Sequence, residues 1–179
     1  MTDYYTKLKN DIYRIVTGQS VSGFDRQYMT DLIEEFKLVC KGTDLCATLP
    51  KDTCCFVVGD IHGNFASFKM IIRYMMRMMI KFPDRKIVAI FVGDYVDRGR
   101  QGLDVLTLVM LLKVCYRNSF LFLRGNHECK EINNVSGFKS ECCSKFDDDM
   151  YNDVCTIYDY LPITCTIKYL SSMVHVIGR

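Results

Sequence analysis

The amino-acid sequence predicts an α/β fold, a parallel sheet covered by helices, and three observations carry that expectation. Three short apolar runs, Cys54–Val58, Ile87–Val92 and Phe120–Leu123, are too short for helices, and each ends near a glycine. Between them lie two stretches of helical length, Phe65–Lys81 and Leu103–Tyr116. Ahead of them apolar residues recur at helical spacing, first Leu8, Ile12, Ile15 and Val16, then Met29, Leu32, Ile33, Phe36 and Cys40. Strand, helix, strand, helix, strand is the βαβ pattern, so the three strands should run parallel. In such sheets ligands gather in the loops beyond the carboxyl ends of the strands.

Taken in order, residues 1–49 read as an N-terminal helical segment and residues 50–179 as the α/β unit. Within Phe65–Lys81, Lys69, Arg73, Arg77 and Lys81 fall every fourth residue on one face, which reads as the solvated side of a surface helix. Leu103–Tyr116 is predominantly apolar and helical in length. Further helical segments are expected near Phe138–Phe146 and Asp149–Tyr160. The apolar runs Pro162–Ile167 and Met173–Ile177 then resemble a hairpin turning near Lys168–Ser171. No internal repeat or low-complexity tract interrupts the chain, which carries only three prolines.

Composition narrows the function classes. With 49% hydrophobic and 25% charged residues the chain has an ordinary globular balance. A formal net charge of +2 is too mild to imply nucleic acid. No run approaches the roughly 20 apolar residues of a membrane span, and the charged N-terminus has no apolar core behind it, so no secretory signal is read. Ten cysteines are present without any C-x-x-C spacing. They read as reduced, mostly buried thiols of an intracellular protein, cytoplasmic or nuclear, since the scattered Lys and Arg residues form no localisation cluster.

The chemistry-bearing residues sit where the fold should present them. The first strand runs into Gly59-Asp60-Ile61-His62-Gly63, the second into Gly93-Asp94-Tyr95-Val96-Asp97-Arg98-Gly99, and the third into Arg124-Gly125-Asn126-His127-Glu128. Two of the three histidines, His62 and His127, lie in these loops beside Asp or Asn. Carboxylate and amide oxygens mixed with imidazole suit divalent ions such as Mn, Fe, Zn or Mg. A pair of ions about 3.5–4 Å apart, bridged by a carboxylate, clamps the attacking and leaving oxygens of an in-line displacement, which is the geometry phosphoryl transfer to water requires.

Asp60-x-His62, Gly93-Asp94-x-Val96-Asp97-Arg98-Gly99 and Gly125-Asn126-His127-Glu128 resemble the three metallophosphoesterase blocks. The longer string Leu123-Arg124-Gly125-Asn126-His127-Glu128 is similar to the signature of the phosphoprotein phosphatases, closest to type-1 catalytic subunits. Tyr95, Glu128-Cys129 and Ile132-Asn133 resemble those enzymes more than the small-molecule phosphohydrolases that share the blocks, such as bis-nucleosyl tetraphosphate hydrolases.

The resemblance implies a metallophosphoesterase-like β-sandwich with flanking helices. It implies hydrolysis of phosphoserine and phosphothreonine by a hydroxide held between two divalent ions, manganese first, with iron or zinc as alternatives. Asp60 and His62 would ligate the first ion, Asp94 would bridge both, and Asn126 would ligate the second. His127 would be the general acid, oriented by Asp97, and Arg98 would grip the phosphate. His175, at the family's distance beyond Leu161-Pro162-Ile163, would be a further metal ligand. Partners would be phosphoprotein substrates and regulatory subunits, with no nucleic acid and no membrane. The family core continues for roughly another hundred residues, so the chain is expected to be a C-terminally truncated phosphatase holding the parallel βαβαβ part and the start of a second sheet. A catalytically impaired relative that acts by binding is the alternative.

Overall fold

The computed structural model describes residues 2–18, 24–169 and 172–178. Two helices, α1 (Thr2–Thr17) and α2 (Arg26–Cys40), lead into β1 (Cys46–Leu49) and β2 (Cys54–Val58). There follow α3 (Phe65–Lys81), β3 (Ile87–Phe91), α4 (Gly102–Tyr116) and β4 (Phe120–Phe122). Three short helices, α5 (Lys130–Ser136), α6 (Phe138–Lys145) and α7 (Asp148–Cys155), and a 3-10 turn over Thr156–Tyr160 precede β5 (Thr164–Tyr169) and β6 (Ser172–Ile177).

The strands form two three-stranded sheets. In one, β2, β3 and β4 lie side by side and parallel, as the alternating pattern requires. In the other, β1 pairs parallel with β5, and β5 pairs antiparallel with β6. The hairpin expectation holds for its strands, while its turn at residues 170–171 lies outside the described residues. Strand β1 has no counterpart in the sequence reading: four residues of mixed character give no usable period, and its pairing with β5 is 118 positions distant at Cys46↔Thr164.

Alternation along β3 divides the core. Val88 and Ile90 turn toward the second sheet, meeting Leu121, Leu123 and Cys165 in a small sandwich core. Ile87, Ala89 and Phe91 face the helices, where Phe91 stacks on Phe122 with ring centroids 5.0 Å apart. Helix α4 lies against α1, α2, α3, α6 and β4, so its apolar character on every side finds cover: Leu106, Leu108, Val109, Met110, Leu111 and Leu112 are all fully buried. The apolar faces of α1 and α2 share that same core, and β1 joins the second sheet, so these three elements are packed into the body of the protein.

Local chemistry sets the helix boundaries. Asp25, Asn64 and Asp147 cap α2, α3 and α7 by accepting the N–H groups of Tyr28, Ser67 and Met150. The N-terminus of α4 is satisfied from a distance, by the Glu141 carboxylate, which accepts from Gly102 N–H at 2.9 Å and Leu103 N–H at 3.0 Å. The basic stripe of α3 is not simply a solvated face: Arg73 Nε donates to the Val16 carbonyl at 3.0 Å, closing the C-terminal end of α1, and Lys69 lies 4.7 Å from the Phe65 ring centre. All ten cysteines are free, in line with reduced thiols, but only Cys40, Cys142, Cys155 and Cys165 are buried, and Cys46 and Cys54 are exposed.

Candidate metal centre

The loops after β2, β3 and β4 are sewn together before any side chain is considered. The N–H groups of Ile61 and His62 donate to the Asp94 carbonyl at 3.0 and 2.8 Å, and Gly63 N–H donates to the Tyr95 carbonyl at 2.9 Å. The third loop is tied in by Glu128, whose buried carboxylate accepts from the N–H groups of Asp94, Tyr95 and Gly125 at 2.8, 2.8 and 2.9 Å. Burial pushes the Glu128 carboxyl up to about 7, while the three N–H donors pull the other way. An amide has one acceptor oxygen where the carboxylate has two, so Glu128→Gln leaves an NH₂ group facing at least one backbone N–H. Ionisation of the buried carboxyl disfavours the folded state, so the unaltered protein is expected to lose stability as pH rises from about 4.5 through about 7, and Glu128→Gln, which cannot ionise, should not share that loss. A gap between the urea midpoints of the two proteins that stays constant from about pH 5 to about pH 8.5 would show that the carboxyl is not held in this way.

Among the described residues, five non-glycine residues adopt positive φ, and four of them, His62, Asp94, Asp97 and Arg98, line this junction. Strain of this kind persists where surrounding structure enforces it and concentrates at functional sites. His62 Nδ1 lies 2.8 Å from the Val96 carbonyl, which can only accept, so Nδ1 carries a proton, and in the neutral ring Nε2 is the nitrogen that presents a lone pair. That Nε2 is buried without a hydrogen-bond partner and faces Asp60 Oδ2 at 3.7 Å and Asp94 Oδ2 at 3.9 Å. A lone pair aimed between two carboxylates is the donor set of a cation site. Ligand-capable atoms of His62, Asp94 and His127 lie within 4.8 Å of one another. Asn126 is beside them: one terminal atom of its amide is 3.3 Å from both Asp94 carboxylate oxygens. As nitrogen that atom donates to Asp94; as oxygen it shares a cation with it. The residues present therefore fit a divalent metal.

The comparisons with known proteins agree with this geometry. Residues 55–176 match the family model described as calcineurin-like phosphoesterase. The chain belongs to the calcineurin-like phosphoesterase family. It is 31% identical over 169 residues to the Caenorhabditis elegans "Putative serine/threonine-protein phosphatase C06A1.3", a match covering 94% of this chain and 42% of that one. A solved protein serine/threonine phosphatase from Saccharomyces cerevisiae, described as similar to human phosphatase PP5, superposes with a TM-score of 0.69 at 25% identity, over 94% of this chain and 51% of its own. The chain thus spans about half the length of these relatives. The family implies divalent metal ions, and the place where the structure can hold one is around His62 and Asp94, with His127 alongside.

Next to the calcineurin-like metal cluster lies the second part of the site. His127 Nδ1 is 2.8 Å from Asp97 Oδ2, and both side chains are buried. The backbone N–H of His127 donates to Asp94 Oδ1 at 3.0 Å, so one aspartate touches both halves of the site. Arg98 is exposed at the mouth, its Nη2 3.4 Å from His127 Nε2. The two histidine rings meet edge to face with centroids 4.6 Å apart.

The structure thus brings together Asp60, His62, Asp94, Asp97, Arg98, Asn126 and His127. It does not bring in His175, expected as a further metal ligand. Cys165 and Val176 turn inward, so strand alternation places His175 and its cross-strand partner Thr166 on the other face of the sheet. There His175 is exposed, with Nδ1 3.1 Å from Thr166 Oγ1. The residue that reaches the third loop from this strand is Gly178, whose Cα abuts the Arg124 carbonyl. Sequence reasoning also assigned no task to Glu128 or Asn133. Both are buried polar residues on the third loop and its extension into α5, and because residues 124–133 are polar nearly throughout, no local pattern separates these buried members from the exposed ones. Cys129, next to the third loop, donates its thiol to Glu131 Oε2 at 2.7 Å.

Proposed function

We propose that this chain carries a phosphoric monoester hydrolase site acting on phosphoserine and phosphothreonine in proteins. The observation that carries the reading is the pairing of a lone-pair-directed His62 with Asp60 and Asp94 directly beside a His–Asp dyad. The relatives named as serine/threonine phosphatases support the substrate class. Bound divalent ions, manganese first and iron or zinc next, would supply Lewis acidity toward water and toward the phosphoryl oxygens.

Asp60, His62, Asp94 and Asn126 would hold those ions, and the other groups have separate tasks. Arg98, a planar cation free to swing at the mouth, pairs with two phosphate oxygens. His127 Nε2 faces outward from the dyad, where it delivers a proton to the departing serine or threonine oxygen. The Asp97 carboxylate accepts from Nδ1 and stabilises the imidazolium that this step consumes. Arg98 Nη2 lies 3.4 Å from His127 Nε2, so the phosphate-binding cation and the proton donor reach the same point at the mouth of the site.

Loaded with manganese, the protein is expected to release phosphate from a phosphothreonine peptide, and His127→Asn to slow release about 10²–10⁴-fold. No release by the metal-loaded protein, or an unchanged rate in His127→Asn, would overturn the reading.

A further inference from the structure

The dyad has a second layer. Asn133, on α5, is fully buried, and its side-chain Nδ2 donates to Asp97 Oδ2 at 2.9 Å and to the His127 carbonyl at 2.8 Å. Its Oδ1 accepts from the hydroxyl of Tyr158 at 3.0 Å, and Tyr158, in the 3-10 turn, is itself buried. The orientation of the amide is forced by chemistry. A carboxylate oxygen and a peptide carbonyl both only accept, so the NH₂ group must face them. The carbonyl oxygen is then left for Tyr158, which must donate. Burial holds the Tyr158 phenol well above its ordinary pKa, so the donor keeps its proton.

We propose that Asn133 and Tyr158 are positioning residues that hold the His127–Asp97 dyad in register for proton donation. One amide grips the imidazole from two sides, through the backbone carbonyl of His127 and through the carboxylate its Nδ1 leans on. Asp97 Oδ2 is shared by His127 and Asn133, while Oδ1 accepts Phe138 N–H at 2.9 Å, so the carboxylate cannot turn while Asn133 is in place. Tyr158 stops the amide from rotating about its own axis. A fully paired chain of this kind fixes the angle of the imidazole more tightly than a His–Asp pair alone. A purely structural role would also keep these groups paired, so the test must read something that stability alone does not move.

What His127 does rests on the phosphatase reading above; the geometry of the relay does not. Serine leaves as a strongly basic alkoxide and needs the proton, whereas p-nitrophenolate leaves without one. Tyr158→Phe is therefore expected to lower kcat on a phosphoserine peptide about 3–10-fold and Asn133→Ala about 10²-fold, each with a several-fold smaller loss on p-nitrophenyl phosphate. His127→Asn should show the same bias, only larger. Equal losses on the two substrates, or none in Tyr158→Phe, would overturn the proposal. If the manganese-loaded protein hydrolyses neither substrate, the phosphatase reading fails, and the relay is read by proton NMR instead. The imidazole Nδ1–H bonded to Asp97 should give a far-downfield resonance that His127→Asn removes. Tyr158→Phe and Asn133→Ala should shift it upfield. A resonance that stays in place in both, or is absent from the unaltered protein, would overturn the relay.

Discussion

Asp94→Asn is expected to lower manganese affinity by more than about 100-fold while leaving the metal-free protein at least as stable as before. Removal of a partner behind a ligand already costs about 10–100-fold, and Asp94 lies within the ligand cluster itself. Asparagine is a clean replacement here. The backbone at Asp94 has φ 54°, a left-handed conformation that Asn tolerates well, and the carbonyl that accepts from Ile61 and His62 is untouched. Without metal, the Asp94 carboxylate sits near Asp60 and an unpartnered nitrogen lone pair, so neutralising it relieves repulsion. With metal at 100 times the Kd, the unaltered protein gains about 2.7 kcal/mol that the variant forgoes. Thermal melts should therefore rank the two proteins oppositely in chelator and in excess manganese. Titration calorimetry that found equal affinity, or a variant much less stable in chelator, would remove Asp94 from the metal site.

That ranking has its counterpart in how the sequence could be read. Helix α4 and strands β3 and β4 were legible because local composition and burial agree: Ile87–Phe91 is apolar along its whole length and buried along its whole length. The loops were legible because glycine, aspartate and histidine cluster at strand ends, where a parallel sheet places ligands. What stayed hidden depends on partners distant in the chain. Strand β1 is ordered by β5, the cap of α4 is Glu141 nearly forty residues on, and Arg73 is committed to the end of α1. His175 was misplaced for a related reason: counting from Ile163 gives a distance along the chain, while strand register decides the face. Tyr158 lies in a turn that carries three hydroxyl-bearing residues, Thr156, Tyr158 and Tyr160, and nothing local in the sequence says which of them reaches Asn133.

Gly93→Ala should be the most destabilising of the conservative changes, costing more than about 3 kcal/mol, and Gly137→Ala isolates the cause. Both glycines hold left-handed backbone, with φ 109° at Gly93 and 116° at Gly137. A methyl group at either position incurs about 1–2 kcal/mol of conformational strain. At Gly137 that is the whole cost, because a Cβ there would have nothing within 4 Å. At Gly93 the same Cβ would run into the backbone nitrogen and Cα of Gly125. Neither side can yield, since one loop carries Asp94 and the other Asn126 and His127, and both are tied to Glu128. The close approach of bare backbone is what lets the tips of β3 and β4 share one cluster. Gly93→Ala should accordingly weaken manganese binding as well as folding, and Gly137→Ala only folding. Equal losses of stability in the two variants would mean that strain alone matters at Gly93, and that the convergence of the loops has room to spare.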